Sequence, residues 1–324
     1  MIKINKFTNS RGILKLERIL DKRRAIQNTN ISVVSKILKD IRKNKNKALI
    51  KYEKKFSKNS RIKPSSREIN KAIRSLNPKI KKAIDYAYNR IFKYHSLQKV
   101  KNINYKDKLK NTFQHRSVPI NKVGVYVPAN LPSTLIMNAV PAKIAGVKKI
   151  ILANPRLNNK LNPAVVYAAR KLGIKEIYSI GGAQAIGSLT YIQKVDKIVG
   201  PGNIYVAKAK KEVFGEVGVE GMLAGPSEIT VVADKKTEIK SVITSLIGQA
   251  EHDVNSQCII ISKDLSLLKG IKNIIKINLK NLPRKKIAEK SLKTNGLLIQ
   301  AKNDKNIIEE ENIRKCFRVL MKTV

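Results

Sequence analysis

The chain has 324 residues, 42% of them hydrophobic, with only 16 Gly and 11 Pro, which excludes a disordered or fibrous protein and leaves room for two domains or one large α/β domain. Its 67 Lys and Arg against 23 Asp and Glu give a net charge of +44. The basic residues are spread along the whole length, and aromatics are 5% with no Trp, so the charge reads as an AT-rich coding bias and nucleic acid is not the expected partner.

Residues 1–122 read as helices separated by polar turns. Val33, Ile37, Ile41, Ala48 and Leu49 recur at helical spacing. The run 42–47 is charged and reads as a solvated turn. Ser65 with Glu68 three residues on reads as a helix start. A second stripe runs Ile80, Ala83, Ile84, Ala87, Ile91 and on to Tyr94. Both stripes are expected to be core packing.

At residue 123 strands begin to alternate with helices. Strands are expected at 123–127, 149–153, 176–180 and 196–199, then at 229–233, 258–261 and 297–300. Helices are expected at 132–145, from Pro163 to Leu172, at 183–190 and at 239–252. Asn162 is placed to cap the second of these, with Pro163 in its first turn and Gly173 at its end. Repeated βαβ units imply an α/β fold with a parallel sheet flanked by helices. Ligands of such sheets bind beyond the carboxyl ends of the strands. Here those ends are 126–130, 181–184 and 200–203.

The two cysteines, Cys258 and Cys316, make neither a disulfide framework nor a thiolate zinc site, which suits the cytoplasm. Residues 1–24 are basic without an apolar stretch, so no secretory signal is expected. The longest uncharged run, 123–142, is broken by Pro128, Pro132 and Pro141, so no membrane span is expected. There are three histidines: His95, His115 and His252. His95 ends an amphipathic helix, where a packing or capping role is expected; His115 has no evident partner.

GxGxxG does not occur in full. Gly200-Pro201-Gly202-Asn203-Ile204-Tyr205 comes nearest, with Tyr205 in place of the third glycine. Such a turn either presents N–H groups to an anion or needs glycine for backbone reasons. Gln249 and His252, three apart, share a helix face; together they offer two metal ligands, or His252 simply favours the helix C-terminus. Ser227, in Ala224-Gly225-Pro226-Ser227-Glu228, binds a ligand or caps a turn, and is not in a GxSxG elbow.

Several stretches occur in an order that resembles the histidinol dehydrogenase family: 89–98, Val123-Gly124-Val125-Tyr126-Val127-Pro128, 132–143, Gly181-Gly182-Ala183-Gln184-Ala185-Ile186, 195–203, 224–228 and Gln249-Ala250-Glu251-His252. The similarity runs from near Asn30 to about Glu310. It implies two Rossmann-like domains, one built from 22–125 plus 228–324 and one from 126–227, after an N-terminal helical segment 1–21. It implies an NAD- and zinc-dependent homodimer that oxidises L-histidinol to L-histidine through an aldehyde, in two hydride transfers. Tyr126, Gln184 and Asn203 match NAD-contacting positions. Ser227, Gln249 and His252 match substrate-contacting positions, and Gln249 and His252 also match two zinc ligands.

Three departures shape the expectation of activity. The family's glycine-rich loop after Tyr-Val-Pro is here only Ala129, Asn130 and Leu131 before Pro132. Residues 191–194 replace a segment that often contains Gly-Thr-Glu. The family's catalytic Glu-His pair has no counterpart, and no histidine follows His252. The expectation is therefore a family member that is impaired or inactive as 324 residues. The alternatives are a nucleotide-binding remnant without catalysis, or a basic binding protein on the same scaffold.

Overall fold

The computed structural model describes residues 2–6, 18–19, 32–59, 61–220 and 228–301. In chain order the elements are β1 (Lys3–Lys6), α1 (Ser32–Ser57), α2 (Ser66–Arg74), α3 (Pro78–Ser96), β2 (Ile103–Lys106), β3 (Thr112–His115) and β4 (Lys122–Tyr126). Then come α4 (Pro132–Ile144), β5 (Lys149–Ala153), α5 (Pro163–Lys171), β6 (Glu176–Tyr178), α6 (Gly182–Gly187), β7 (Lys197–Val199), α7 (Ile204–Val213) and β8 (Gly218–Val219). The last group is β9 (Glu228–Val232), α8 (Ile239–Ala250), β10 (Gln257–Ser262), α9 (Leu265–Leu279), α10 (Lys285–Asn295) and β11 (Gly296–Gln300).

Contacts divide the chain into two units, one from 30–223 and one from 1–29 with 224–324. The first holds a five-stranded sheet in the order β6-β5-β4-β7-β8, every pair parallel. Each crossover is a helix, as a parallel sheet requires. β4 is first in sequence yet central, with later strands added on one side and then the other. This reversal makes the sheet doubly wound. One of its buried clusters joins Ile84, Val125, Leu135, Val140 and Val165; the other joins Ile37, Ile41, Leu49, Tyr126, Ile186, Leu189 and Val206.

The second unit is a four-stranded parallel sheet, β1-β11-β10-β9. Its strands read as near-continuous apolar runs because both faces are covered. Ile260 and Leu298 pack with α8, α9 and α10 through Leu246, Leu268, Ile271 and Leu292. Ile259, Ile261, Leu297 and Ile299 form a separate cluster on the other face.

The expected parallel α/β architecture is present, with strands within a residue or two of expectation. The local signals also hold. Ser65 accepts from Glu68 N–H at 3.2 Å, and Asn162 accepts from the N–H groups of Ala164 and Val165. Lys45 in the charged run has φ 47 and kinks α1.

Three expectations are corrected. Residues 22–125 were assigned to the domain of 228–324, but the described part of 32–125 packs with 126–220. Val34, Ile37, Ile41 and Leu49 of α1 and Ile84 of α3 are buried in the clusters of the five-stranded sheet, while Val33, Ile80 and Tyr94 of the expected stripes are exposed. The segment 1–21 is expected to be helical, yet Lys3–Lys6 is a strand pairing with β11. Within 1–122, β2 and β3 form an antiparallel hairpin, Ile103 opposite His115, with every residue exposed. Its alternation of apolar and polar residues is a strand signal that the flanking lysines mask.

Candidate functional site

In the first unit, Tyr126 ends β4, Asn203 follows β7, and Gln184 lies on α6 after β6. All three therefore stand at the carboxyl edge of one sheet. β4 and β7 are the neighbouring strands between which the strand order reverses. That is the crevice where doubly wound sheets take ligands.

Tyr126 is 4% exposed, and burial pushes its phenol up to about 12, against the opposing pull of the nearby Gly182 N–H. Gln184 is buried as well, and its Nε2 donates to Glu53 Oε1 at 2.9 Å. Gly181 N–H donates to the same oxygen at 2.8 Å. Tyr126 and Gln184 thus meet around the Gly181-Gly182 turn, whose Gly182 has φ +59.

Asn203 is exposed and caps α7, its Oδ1 accepting from Tyr205 and Val206 N–H at 3.1 Å each. Those first-turn donors are therefore taken by the protein itself, which removes them from the anion-binding reading of this turn. The turn is also held from below. Lys210, 3% exposed, donates from Nζ to Gly200 O at 2.5 Å and pairs with Glu220, whose other oxygen accepts from Gly200 N–H at 3.3 Å. Burial lowers the Lys210 pKa, and its pairing with Glu220 opposes that. Between β4 and α4 the short turn is tight: Leu131 N–H reaches Pro128 O at 3.3 Å, and buried Asn154 Nδ2 donates to the carbonyls of Val127 and Pro128.

In the second unit, Gln249 is in the last turn of α8 and His252 lies just beyond it, exposed. The His252 N–H donates to Gln249 O at 3.2 Å. Gln249 Nε2 is buried with no hydrogen-bond partner. Buried amides are ordinarily satisfied, which makes this group an exception. Among the described residues no three His, Cys, Asp or Glu gather as a metal site. Gln249 and His252 are two candidate ligands, fewer than the four of a structural zinc site.

Glu228 is in register with Gln257, so β9 and β10 start at the same edge of this sheet. The turn carrying His252 leads into that edge. Ser227, which precedes β9, lies outside the described residues, as does Cys316. Cys258 is free and buried, and burial pushes its thiol up to about 12, so it is an inert core residue. His95 sits in the last turn of α3 with Nδ1 2.6 Å from Gln98 Oε1. No helix among the described residues is long and apolar enough to cross a membrane.

Sequence reasoning missed Glu53 and the Lys210–Glu220 pair. Glu53 lies in a run of lysines that reads as a solvated helix face. Its one available signal was the spacing Leu49-Glu53, which continues the apolar stripe.

The strand order and the edge it creates define a doubly wound α/β protein with its candidate site at the reversal of the sheet. The histidinol dehydrogenase family profile matches residues 20–314. The chain is 54% identical to a histidinol dehydrogenase of Pelagibacter ubique over 96% of its own length and 74% of that protein's. It is 40% identical to that of Rhizobium meliloti, covering 86% of this chain and 66% of the other. A crystal structure of histidinol dehydrogenase from Elizabethkingia anophelis superposes with a TM-score of 0.81 at 33% identity, covering 96% of this chain and 73% of that one. The chain belongs to the histidinol dehydrogenase family, oxidoreductases of histidine biosynthesis.

Proposed function

We propose that this protein is an NAD-dependent histidinol dehydrogenase of impaired activity, oxidising L-histidinol to L-histidine with two NAD reduced for each histidinol consumed. The observation that carries the reading is the position of Tyr126, Gln184 and Asn203 at the carboxyl edge where the family's sheet reverses order.

In this reading the first unit holds the dinucleotide, which accepts hydride when bound. Tyr126 and the Gly181-Gly182 turn shape the floor of its site, and Gln184 is held rigid by Glu53. Asn203 keeps its Nδ2 for the cofactor while Oδ1 caps α7. In the second unit Gln249 and His252 orient the substrate's imidazole and amine, through zinc when the metal is bound. Orientation of this kind lowers the entropic part of the barrier.

The proposed impairment rests on the turn at 129–131. It is shorter than the family's glycine-rich loop and is pinned by Asn154, so it offers less backbone to the dinucleotide. The test is NADH formation from histidinol by purified protein with zinc, beside calorimetric NAD binding. Histidine formed with two NADH per histidinol supports the reading. NAD binding with no oxidation of histidinol overturns it in favour of a nucleotide-binding remnant.

A further inference from the structure

The segment after the kink in α1 grips the end of β6 at several points. Asn59 Nδ2 donates to Ser179 O at 2.7 Å, and Ser179 N–H donates to Ile62 O at 2.6 Å. Glu53 adds a further grip. It is 0% exposed, and one oxygen accepts both Gly181 N–H and Gln184 Nε2. Its other oxygen, Oε2, is buried without a partner. A carboxyl in such a place is costly to the fold, so stability does not account for it. Burial raises its pKa, while the Gly181 N–H and the Gln184 amide oppose that.

The consequences run outward through contacts already described. With Nε2 held by Glu53, the Gln184 amide is fixed so that its Oε1 faces Gly182; a Cβ on that glycine would lie 2.9 Å from it. Gly182 N–H in turn faces the Tyr126 hydroxyl closely enough to lower its pKa against burial. One side chain from α1 therefore sets the geometry of Gln184, of the glycine turn and, through the turn, of Tyr126.

We propose that Glu53 is a positioning residue for the dinucleotide: without touching it, the carboxyl holds Gln184 and the Gly181-Gly182 turn in the arrangement that binds NAD. This rests on the NAD reading above. Removing the carboxyl leaves Gly181 N–H and the Gln184 amide without their acceptor in a buried place, and the turn relaxes to satisfy them. The histidinol side of the reaction involves Gln249 and His252 in the other unit and is untouched by this change.

The experiment compares wild type, Glu53→Ala, Glu53→Gln and Glu53→Asp by calorimetric titration with NAD, with thermal unfolding of each protein as a check on folding. Glu53→Gln keeps an acceptor oxygen at the same reach; Glu53→Asp keeps the carboxyl but withdraws it. The expected result is an NAD Kd raised roughly tenfold or more in Glu53→Ala and Glu53→Asp, restored towards wild type in Glu53→Gln. The KM for histidinol stays within about twofold of wild type, a split that general loosening of the fold does not give. Should Glu53→Ala fail to fold, Glu53→Asp against Glu53→Gln carries the same comparison. Equal NAD affinity in all folded variants, with wild type binding NAD, overturns the positioning role alone. Failure of wild type to bind NAD overturns the NAD reading and the proposal with it.

Discussion

Gly200 approaches Tyr126 so closely that a β-carbon on Gly200 would lie 2.0 Å from the Tyr126 carbonyl oxygen. Gly200 also has φ +102, a conformation that L side chains rarely adopt. The end of β7 is thereby laid against the end of β4 at the point where the sheet reverses. Gly200→Ala combines backbone strain with a clash against main chain that has no way to yield. It is expected to destabilise the first unit by roughly 2 kcal/mol or more, read as a lower urea midpoint. An unchanged midpoint would show that the turn has room that the geometry denies.

Asn203 has a structural duty and a proposed cofactor duty, and one substitution separates them. Asp caps helices about as well as Asn, so Asn203→Asp should keep the unfolding midpoint within about 0.5 kcal/mol of wild type. The added negative charge repels a pyrophosphate at the same edge, and NAD affinity should fall roughly tenfold. Asn203→Ala, by contrast, loses the cap and about 1 kcal/mol of stability. Denaturant curves and NAD titrations on the same preparations check both statements.

The orphan amide of Gln249 predicts a trade between stability and ligand binding. Gln249→Leu removes a buried polar group with no partner and should raise the stability of the second unit by about 1 kcal/mol. It also removes one of two proposed zinc ligands, so zinc affinity should drop, as it should in His252→Ala. Calorimetry with zinc on all three proteins is the measurement. Zinc binding that ignores both substitutions eliminates this pair as ligands.

The burial of Glu53 carries a pH dependence with a definite sign. Its pKa in the folded state lies above the ordinary value of 4.5. Between the two values the folded chain therefore holds more protons than the unfolded chain. Stability from this group is complete below about 4.5 and is lost as pH rises through the raised value. Glu53→Gln removes that titration. The stability of Glu53→Gln relative to wild type should therefore grow as pH rises from acid towards neutrality, measured by urea unfolding at a series of pH values. A constant difference across the range would mean that Glu53 ionises in the fold as freely as in water.

Seven strands and four helices from residue 123 onward were legible from the sequence, because their βα units carry local punctuation, whereas α7, α9, α10 and β8 were not. Asn162 with Pro163, Gly146 and Gly173 mark helix ends by backbone chemistry that acts within a few residues. The family membership was legible for the same reason, since its motifs are short and keep their order. The partners of those elements were decided by the tertiary structure. Nothing within Lys3–Lys6 says that it will pair with Leu297–Gln300, because strand pairing depends on which sheet edge is left open. The allegiance of α1 to the five-stranded sheet was equally hidden: an apolar stripe tells that a helix is covered, not by what. Glu53 is the sharpest case. In sequence it is one acidic residue among lysines, and only the packing of α1 beneath the Gly181-Gly182 turn makes it a buried acceptor for the candidate cofactor edge.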